Sequence, residues 1–448
     1  MRKNIYLTIY PKIIVALTLP LAGSPGFAVV YLSLFVWSLC GTKMAIESLV
    51  LVSVVSSLNT GLYAGAGSFV FLKWLIVMGA LISGIRTFAF RKYSRCIKLL
   101  IGSLLLFVSS LIVTSLFNSY ALDVSMFKIF TFLLGVLAII MCFVDSFYRY
   151  EYWWAWFNAV FVVIIVSSLP LTLLYVGYYL NGRGFQGILN QPQLYGLFVA
   201  VYGAFMFGEL IEKKRISAFL VFMLLAAIIT LFLSESRTGV MACALGFFFA
   251  VFYKFFTQAS TRLGVFKKIP IVMLGLIVFL SVVTLVYGVD LGSAVFDFMI
   301  KGGREGAMQI VDSVETRSDA LRISLNNFFN HPVGGIGFGL ASIPAFMDVY
   351  HDPYFNIPIS APVEKTNIYI GLLEESGIAG VTAFMLLAWF IISRVARHGS
   401  LGALSLILTI FILGMGEAFM FSINGFGGFA WILIVFLYLR SDPRIRNR

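Results

Sequence analysis

A chain of 448 residues that is 60% hydrophobic and 12% charged, with a mean hydropathy of +0.97, is no soluble globular domain, because such domains are only about half apolar. A formal net charge of +12 would suggest nucleic acid in a soluble protein, but in a lipid-dissolved chain the placement of the cations matters more than their sum, and no nucleic-acid partner is expected. The expected fold class is an all-α polytopic membrane protein, since crossing a hydrocarbon core of about 30 Å takes roughly 20 apolar residues in helix.

In chain order, apolar runs at about 11–22, 27–40, 45–60, 69–85, 99–116, 125–144, 153–179, 194–211, 217–233, 240–256, 269–289, 368–393, 401–421 and 426–440 predict about 12–14 transmembrane helices. The first two are short enough to form a re-entrant pair. Arg2 and Lys3 precede an apolar stretch, but no small-residue cleavage site is followed by a soluble domain, so no cleaved leader is expected. Arg86, Arg91, Lys92, Arg95 and Lys98 fill one connection, Lys213, Lys214 and Arg215 a second, Arg262, Lys267 and Lys268 a third, and Arg394 with Arg397 a fourth. The tail Arg440, Arg444, Arg446 and Arg448 falls on the same side, so the positive-inside rule places both termini in the cytoplasm. The segment Asp290 to Thr366 then lies outside. It holds nine acids against five Lys/Arg, which supports the same orientation. Cys40, Cys96, Cys142 and Cys243 lie in or beside predicted spans, so neither a disulfide framework nor a metal site is expected, and no cofactor.

Three regions follow: residues 1–289 as an N-terminal transmembrane bundle, 290–366 as one long outer loop with an amphipathic helix, and 367–448 as C-terminal transmembrane helices. Loops of this length are usually functional. After Glu315, Leu321, Leu325, Phe328 and Phe329 make one apolar stripe on a helix of about three turns, lying on the membrane or capping the bundle. His331-Pro332 ends it. Gly334, Gly335, Gly337 and Gly339 then require a tight turn or a close approach to another backbone. Tyr350 to Pro362 reads as an extended connection.

Two outer arginines have small neighbours that would admit a ligand: Arg183 in Asn181-Gly-Arg-Gly-Phe-Gln-Gly, and Arg237 in Ser234-Glu-Ser-Arg-Thr-Gly. A guanidinium fork suits phosphate or carboxylate oxygens, and a pyrophosphate-bearing lipid is the natural ligand at that depth. The alternative is a headgroup anchor or a partner for Glu235. His331 reads as a helix C-terminal residue complementing the dipole. His351 beside Asp352 is either a base with its orienting carboxylate or an exposed loop pair. Glu417 lies inside a span, where an acid is a functional candidate or a partner for a neighbouring helix. Glu374 and Glu375 read as acids at the start of the span after the loop, and Trp153, Trp154 and Trp156 as an interfacial belt.

Taken together, the motifs resemble the O-antigen polymerase and O-antigen ligase superfamily of bacterial surface-polysaccharide assembly. Ser234-Glu-Ser-Arg-Thr-Gly looks like the family's Ser-x-Ser-Arg turn. Arg317 stands ahead of His331-Pro-Val-Gly-Gly-Ile-Gly-Phe-Gly, and Asn367-Ile-Tyr-Ile-Gly-Leu-Leu-Glu-Glu-Ser-Gly-Ile-Ala-Gly looks like the Asn-x-x-Leu element. Arg183 and Asn190 resemble an earlier outer-loop pattern. The resemblance covers roughly residues 180–385.

It implies a glycosyltransferase of the lipid-donor, GT-C-like kind in the bacterial inner (cytoplasmic) membrane, acting at its periplasmic face on undecaprenyl-pyrophosphate-linked oligosaccharides. Arg183, Arg237, Arg317 and Asn367 are the candidate substrate-binding residues, with arginines replacing a metal at the departing pyrophosphate. The family's ligases carry His immediately before the matched Asn, and this chain has Thr366, which cannot act as a base near neutral pH. Glu364, His351, Asp352 or Glu375 are the candidate replacements; otherwise deprotonation is late and water-assisted. The leading expectation is a repeat-unit polymerase, with transfer to a lipid A core sugar as the first rival and transport of the lipid-linked oligosaccharide (a flippase) as the second. The family also implies membrane lipids, a chain-length regulator and a flippase as partners.

Overall fold

The computed structural model describes residues 2–66, 69, 71–88, 95–146, 150–178, 184–213, 215–258, 307–351, 358–360, 365, 367–423 and 425–441. Among these the chain is nearly all helix: α1 (Arg2–Thr18), α2 (Ser24–Leu39), α3 (Thr42–Val55), α4 (Leu72–Phe88), α5 (Arg95–Asn118), α6 (Leu122–Ser146), α7 (Tyr150–Ser168), α8 (Pro192–Glu212), α9 (Ala218–Leu233) and α10 (Arg237–Thr257) come first. After them come α11 (Ala307–Asn330), α12 (Ile368–His398), α13 (Leu401–Leu413) and α14 (Phe426–Arg440). A two-stranded ribbon, β1 (Tyr350–His351) against β2 (Pro358–Ser360), interrupts the long loop, pairing Tyr350 with Ser360 and His351 with Pro358.

Seven of the described helical segments are long and apolar enough to cross a membrane, and α2, α9, α13 and α14 are shorter apolar helices. The protein is an all-α polytopic membrane protein. The crossing expected at 269–289 lies outside the described residues. Local signals place the helix starts. Ser217, Ser236 and Ser400 accept from the backbone N–H of Leu220, Gly239 and Ala403, and Pro192 opens α8 in the first turn, where no N–H is needed.

α14 is the centre of the bundle. Every residue from Phe426 to Leu439 is buried, which accounts for its uniformly apolar sequence, and it packs against α3, α6, α8, α12 and α13. Elsewhere small residues let helices close up: a Cβ on Gly208 of α8 would fall 2.4 Å from the Gly402 Cα of α13, and one on Gly246 of α10 would fall 2.2 Å from Thr409 Oγ1. The Trp cluster corrects the expectation of an interfacial belt. Trp153 and Trp156 are fully buried, and Trp154 stacks on Phe436 of α14. With α7 packed against α1, α8 and α9, its indoles serve as core.

The ends of α4, α8, α10, α12 and α14, carrying Arg86, Lys213, Lys254, Arg397 and Arg440, define one basic face; the long loop emerges on the other. On the basic face Glu212 accepts from Leu401 N–H at 2.7 Å and Lys254 donates to the Gly399 carbonyl at 2.8 Å, clamping α8, α10 and the start of α13. α13 and α14 have 13 and 15 residues, or about 20–22 Å at 1.5 Å per residue. That is less than the hydrocarbon thickness, so the non-helical stretch between them is recessed below the loop face. Irregular backbone at such depth persists only where protein buries it or it lines a cavity.

Candidate active site on the loop face

Three irregular segments form the floor of this recess. Leu58 bridges to Leu189, and Asn59, fully buried, donates from Nδ2 to the carbonyls of Val176 and Gly187, both at 2.9 Å. Asn190 N–H donates to the Ser57 carbonyl at 2.8 Å. Phe185 N–H donates to the Leu233 carbonyl at 2.9 Å, which joins the 184–190 loop to the Ser-Glu-Ser-Arg turn. In that turn Glu235 has φ 52°, the left-handed region that non-glycine residues rarely adopt, and this delivers half-buried Arg237 as the first residue of α10. A Cβ on Gly196 of α8 would stand 2.2 Å from Ser236 Cβ, so α8 and α10 begin side by side.

The chain of contacts continues. A Cβ on Gly416 would lie 2.5 Å from Thr238 Oγ1, and the adjacent Met415 carbonyl accepts from Asn367 Nδ2 at 2.8 Å. Asn367 also caps α12, its Oδ1 accepting from the N–H of Tyr369 at 2.9 Å and of Ile370 at 3.2 Å. Its amide therefore fastens the loop's exit to the α13 end.

α12 is broken, which the sequence reading missed. Gly377 has φ 62° and ψ −163°, dividing the helix just after Glu374, Glu375 and Ser376. The two acids thus stand at the end of a first half-helix, correcting the expectation that they begin the span. The glycine-rich loop seals the gap: Ile336 N–H donates to the Glu374 carbonyl at 2.9 Å, Gly337 N–H to that of Glu375 at 3.0 Å, and Ile378 N–H to that of Pro332 at 2.9 Å. A Cβ on Gly335 (φ 65°) would sit 2.4 Å from the Glu375 carbonyl carbon, so the expected close backbone approach is observed.

Beneath that loop lies a buried charge cluster. Glu374, with no exposed surface, accepts from Asn327 Nδ2 at 2.7 Å on one oxygen, and from Ser342 Oγ at 3.0 Å and Lys365 Nζ at 2.5 Å on the other. Lys365 also reaches Glu375 Oε1 at 4.0 Å, the Gly339 backbone hydrogen-bonds the Glu375 carboxylate, and Lys128 of α6 donates to the Gly339 carbonyl. Two acids and two lysines neutralise one another, as buried charge requires. Tyr120, between α5 and α6, donates to the Ala341 carbonyl at 2.8 Å. Partial burial raises its phenol to about 12; the bond to Ala341 opposes the shift and Glu374 and Glu375 add to it, so it remains a donor at neutral pH.

The candidate residues fall in different places. Arg237, Asn367 and Glu375 are linked through the contacts above. Glu375 is walled in by Lys365 and Gly339. His351 pairs through Nε2 with Asp123 of α6 at 3.5 Å, an orienting carboxylate from outside the loop that sequence gave no means of finding. Arg317 lies on α11, ten residues before Asn327, or about 15 Å along the helix. α11 runs 24 residues, longer than the expected three turns; it turns Ser324 and half-buried Asn327 inward and leaves Phe329 71% exposed. Arg183, Asp352, Glu364 and Thr366 lie outside the described residues. Sequence reasoning missed Lys365, Asn327, Ser342 and Lys128. Only Asn327 had a signal, on the same helical face as Leu321, Ser324 and Phe328.

Chemically, the recess gathers the N-termini of α8, α10 and α14 with a guanidinium at one of them, an arrangement that favours an anion. No curated protein matches this chain. Residues 220–385 match the family model described as O-antigen ligase, a stretch that runs from α9 through the glycine-rich loop to the second half of α12 and contains Arg237, Asn367 and Glu375. This match over residues 220–385 supports the resemblance of the chain to the O-antigen polymerase and ligase superfamily.

Proposed function

We propose that the protein is a repeat-unit polymerase of the bacterial inner membrane, with its loop face periplasmic and both termini cytoplasmic. It transfers a glycan from undecaprenyl pyrophosphate to the non-reducing end of another lipid-linked repeat unit. The observation that carries this reading is Arg237 at the start of α10, in a recess where three helices point their N-termini and the backbone is irregular. Departing pyrophosphate oxygens meet a fork and a positive dipole end there. Arg183 and Arg317, which the resemblance makes substrate-binding, are the further candidates for the pyrophosphate, Arg317 on the helix that Asn327 anchors to Glu374.

Once the leaving group is stabilised, the acceptor hydroxyl needs only a modest base. Of the described candidates, His351 with Asp123 at 3.5 Å fits better than Glu375, whose surroundings make it a positioning residue holding the loop onto the break in α12. Glu364 remains a third candidate. The ligase reading is supported by the description of the matching family and weakened by Thr366 where ligases carry His.

The test is the surface glycolipid profile of a deletion strain complemented with this gene. Core bearing a single repeat unit, restored to a ladder, supports the polymerase; bare core with polymer stranded on the undecaprenyl lipid means ligase. Arg237→Ala is expected to abolish the ladder at unchanged protein level. Arg237→Lys should retain only part of it, because a point charge cannot reproduce a fork. A full ladder in both variants would remove the pyrophosphate assignment.

A further inference from the structure

On the opposite, basic face lies a cavity of about 450 Å³ that glycan transfer does not use. It opens between α1 (Ile5, Tyr6), the start of α7 (Glu151, Trp154), the end of α8 (Glu209, Lys213) and the start of α9 (Ser217), with Arg440 of α14 in its wall. Its volume falls within the roughly 300–1,000 Å³ of ordinary small-molecule sites. Its walls are mixed in a specific way. The Arg440 guanidinium lies over Trp154, 4.5 Å from the ring centre, and Lys213 is paired to Glu209 at 3.1 Å; with Glu151, two cations and two carboxylates border one space. Asn158, whose Oδ1 accepts from Tyr202 at 2.9 Å, adds a polar amide deeper in. Ala155, Phe205, Met206, Phe219 and Leu220 complete the lining with apolar surface.

An anion alone would meet Glu151 and Glu209, and a cation alone Arg440 and Lys213. A ligand with both charges a few bonds apart meets neither conflict. The cavity sits where the basic ends of the helices mark the edge of the hydrocarbon, and exposed apolar side chains of α9, Phe219 and Phe222, continue from it towards the lipid. We propose that it holds the headgroup of an aminoethyl phospholipid, a phosphatidylethanolamine: phosphodiester to Arg440 and Lys213, ammonium to Glu151 and Glu209, acyl chains passing into the bilayer beside exposed Phe219 of α9. The lipid supplies α1 with a partner on its α8 and α9 side, since α1 itself packs chiefly on α7 and on the turn that follows it.

The test begins with the unaltered protein, purified in detergent and titrated separately with dioleoyl phosphatidylethanolamine, phosphatidylcholine and phosphatidylglycerol, with retained lipid counted by native mass spectrometry. One phosphatidylethanolamine per chain is expected, preferred at least about tenfold over the other two, since each lacks either a donating ammonium or the positive charge itself. Arg440→Gln should weaken retention of every phospholipid. Combined Glu151→Gln and Glu209→Gln should abolish the preference over phosphatidylcholine while leaving retention itself. Equal retention of the three lipids by the unaltered protein overturns the proposal, as does a preference for phosphatidylglycerol. Soluble glycerophosphoethanolamine displacing the lipid at equal concentration would overturn the lipid source in favour of a small soluble ligand.

Discussion

Asn367 belongs to a motif that the resemblance makes substrate-binding, yet both ends of its amide are committed to backbone: Oδ1 to the first N–H groups of α12 and Nδ2 to Met415. Loss of such a cap costs about 1 kcal/mol. Asn367→Ala is expected to lower the melting point in detergent and weaken the ladder together, whereas Asn367→Asp keeps the acceptor and most of the stability. An Asn367→Ala protein with unchanged melting and no ladder would mean that the amide touches substrate instead. Glu374 poses a sharper case. Glu374→Ala would remove the close carboxylate partner of Lys365 and one of two acceptors of half-buried Asn327, leaving Lys365 to Ser342 and the more distant Glu375, at a loss approaching that of a broken buried pair, about 3–5 kcal/mol. Glu374→Gln keeps an acceptor oxygen and should cost less. The readout is chymotryptic cleavage after Phe338, now 2% exposed under the docked loop; protection of Phe338 in Glu374→Ala would refute this anchoring role. At this scale the sequence was legible where chemistry and small neighbours coincide, as around Arg237. It was silent where the partner lies far along the chain, as with Asp123 for His351.

At the scale of elements, hydropathy finds straight spans well because lipid exposure imposes one composition along their whole length. The run read at 99–116 is α5, that at 125–144 is α6 and that at 240–256 is α10, each extended by a few residues. It fails where an apolar sequence is not helical. The run at 401–421 ends as helix at Leu413, because Gly414 and Gly416 close in on Ile368 and Thr238 and the remainder forms the floor of the recess. The break in α12 escaped notice for a related reason: Gly377 is one small residue in an otherwise helical pattern, and its φ is dictated by the loop that docks there. Gly377→Ala puts a Cβ 2.3 Å from the Val333 carbonyl oxygen at a φ of 62°. Such a residue costs more than about 1 kcal/mol before any clash. The variant is expected to expose Phe338 to protease and to lose the ladder while still inserting in the membrane; retention of both protection and ladder would show that the break is dispensable.

The whole molecule separates two functions of charge by face. On the basic face, cations end α4, α8, α10, α12 and α14, whereas on the loop face the lysines beneath the glycine-rich loop are held by Glu374, Glu375 and the Gly339 carbonyl, and Arg237 sits at a helix start. In the proposed orientation Val333, 73% exposed beside the break in α12, faces the periplasm, and exposed Arg215 between α8 and α9 faces the cytoplasm. Cys40 is exposed at the end of α2 and must first be replaced by Ser. In that background Val333→Cys is expected to react with a membrane-impermeant maleimide in intact spheroplasts, and Arg215→Cys only after permeabilisation. The reverse pattern would place the recess in the cytoplasm, where nucleotide sugars are at hand and a lipid-borne donor is no longer required. Arg237 would then need a different ligand.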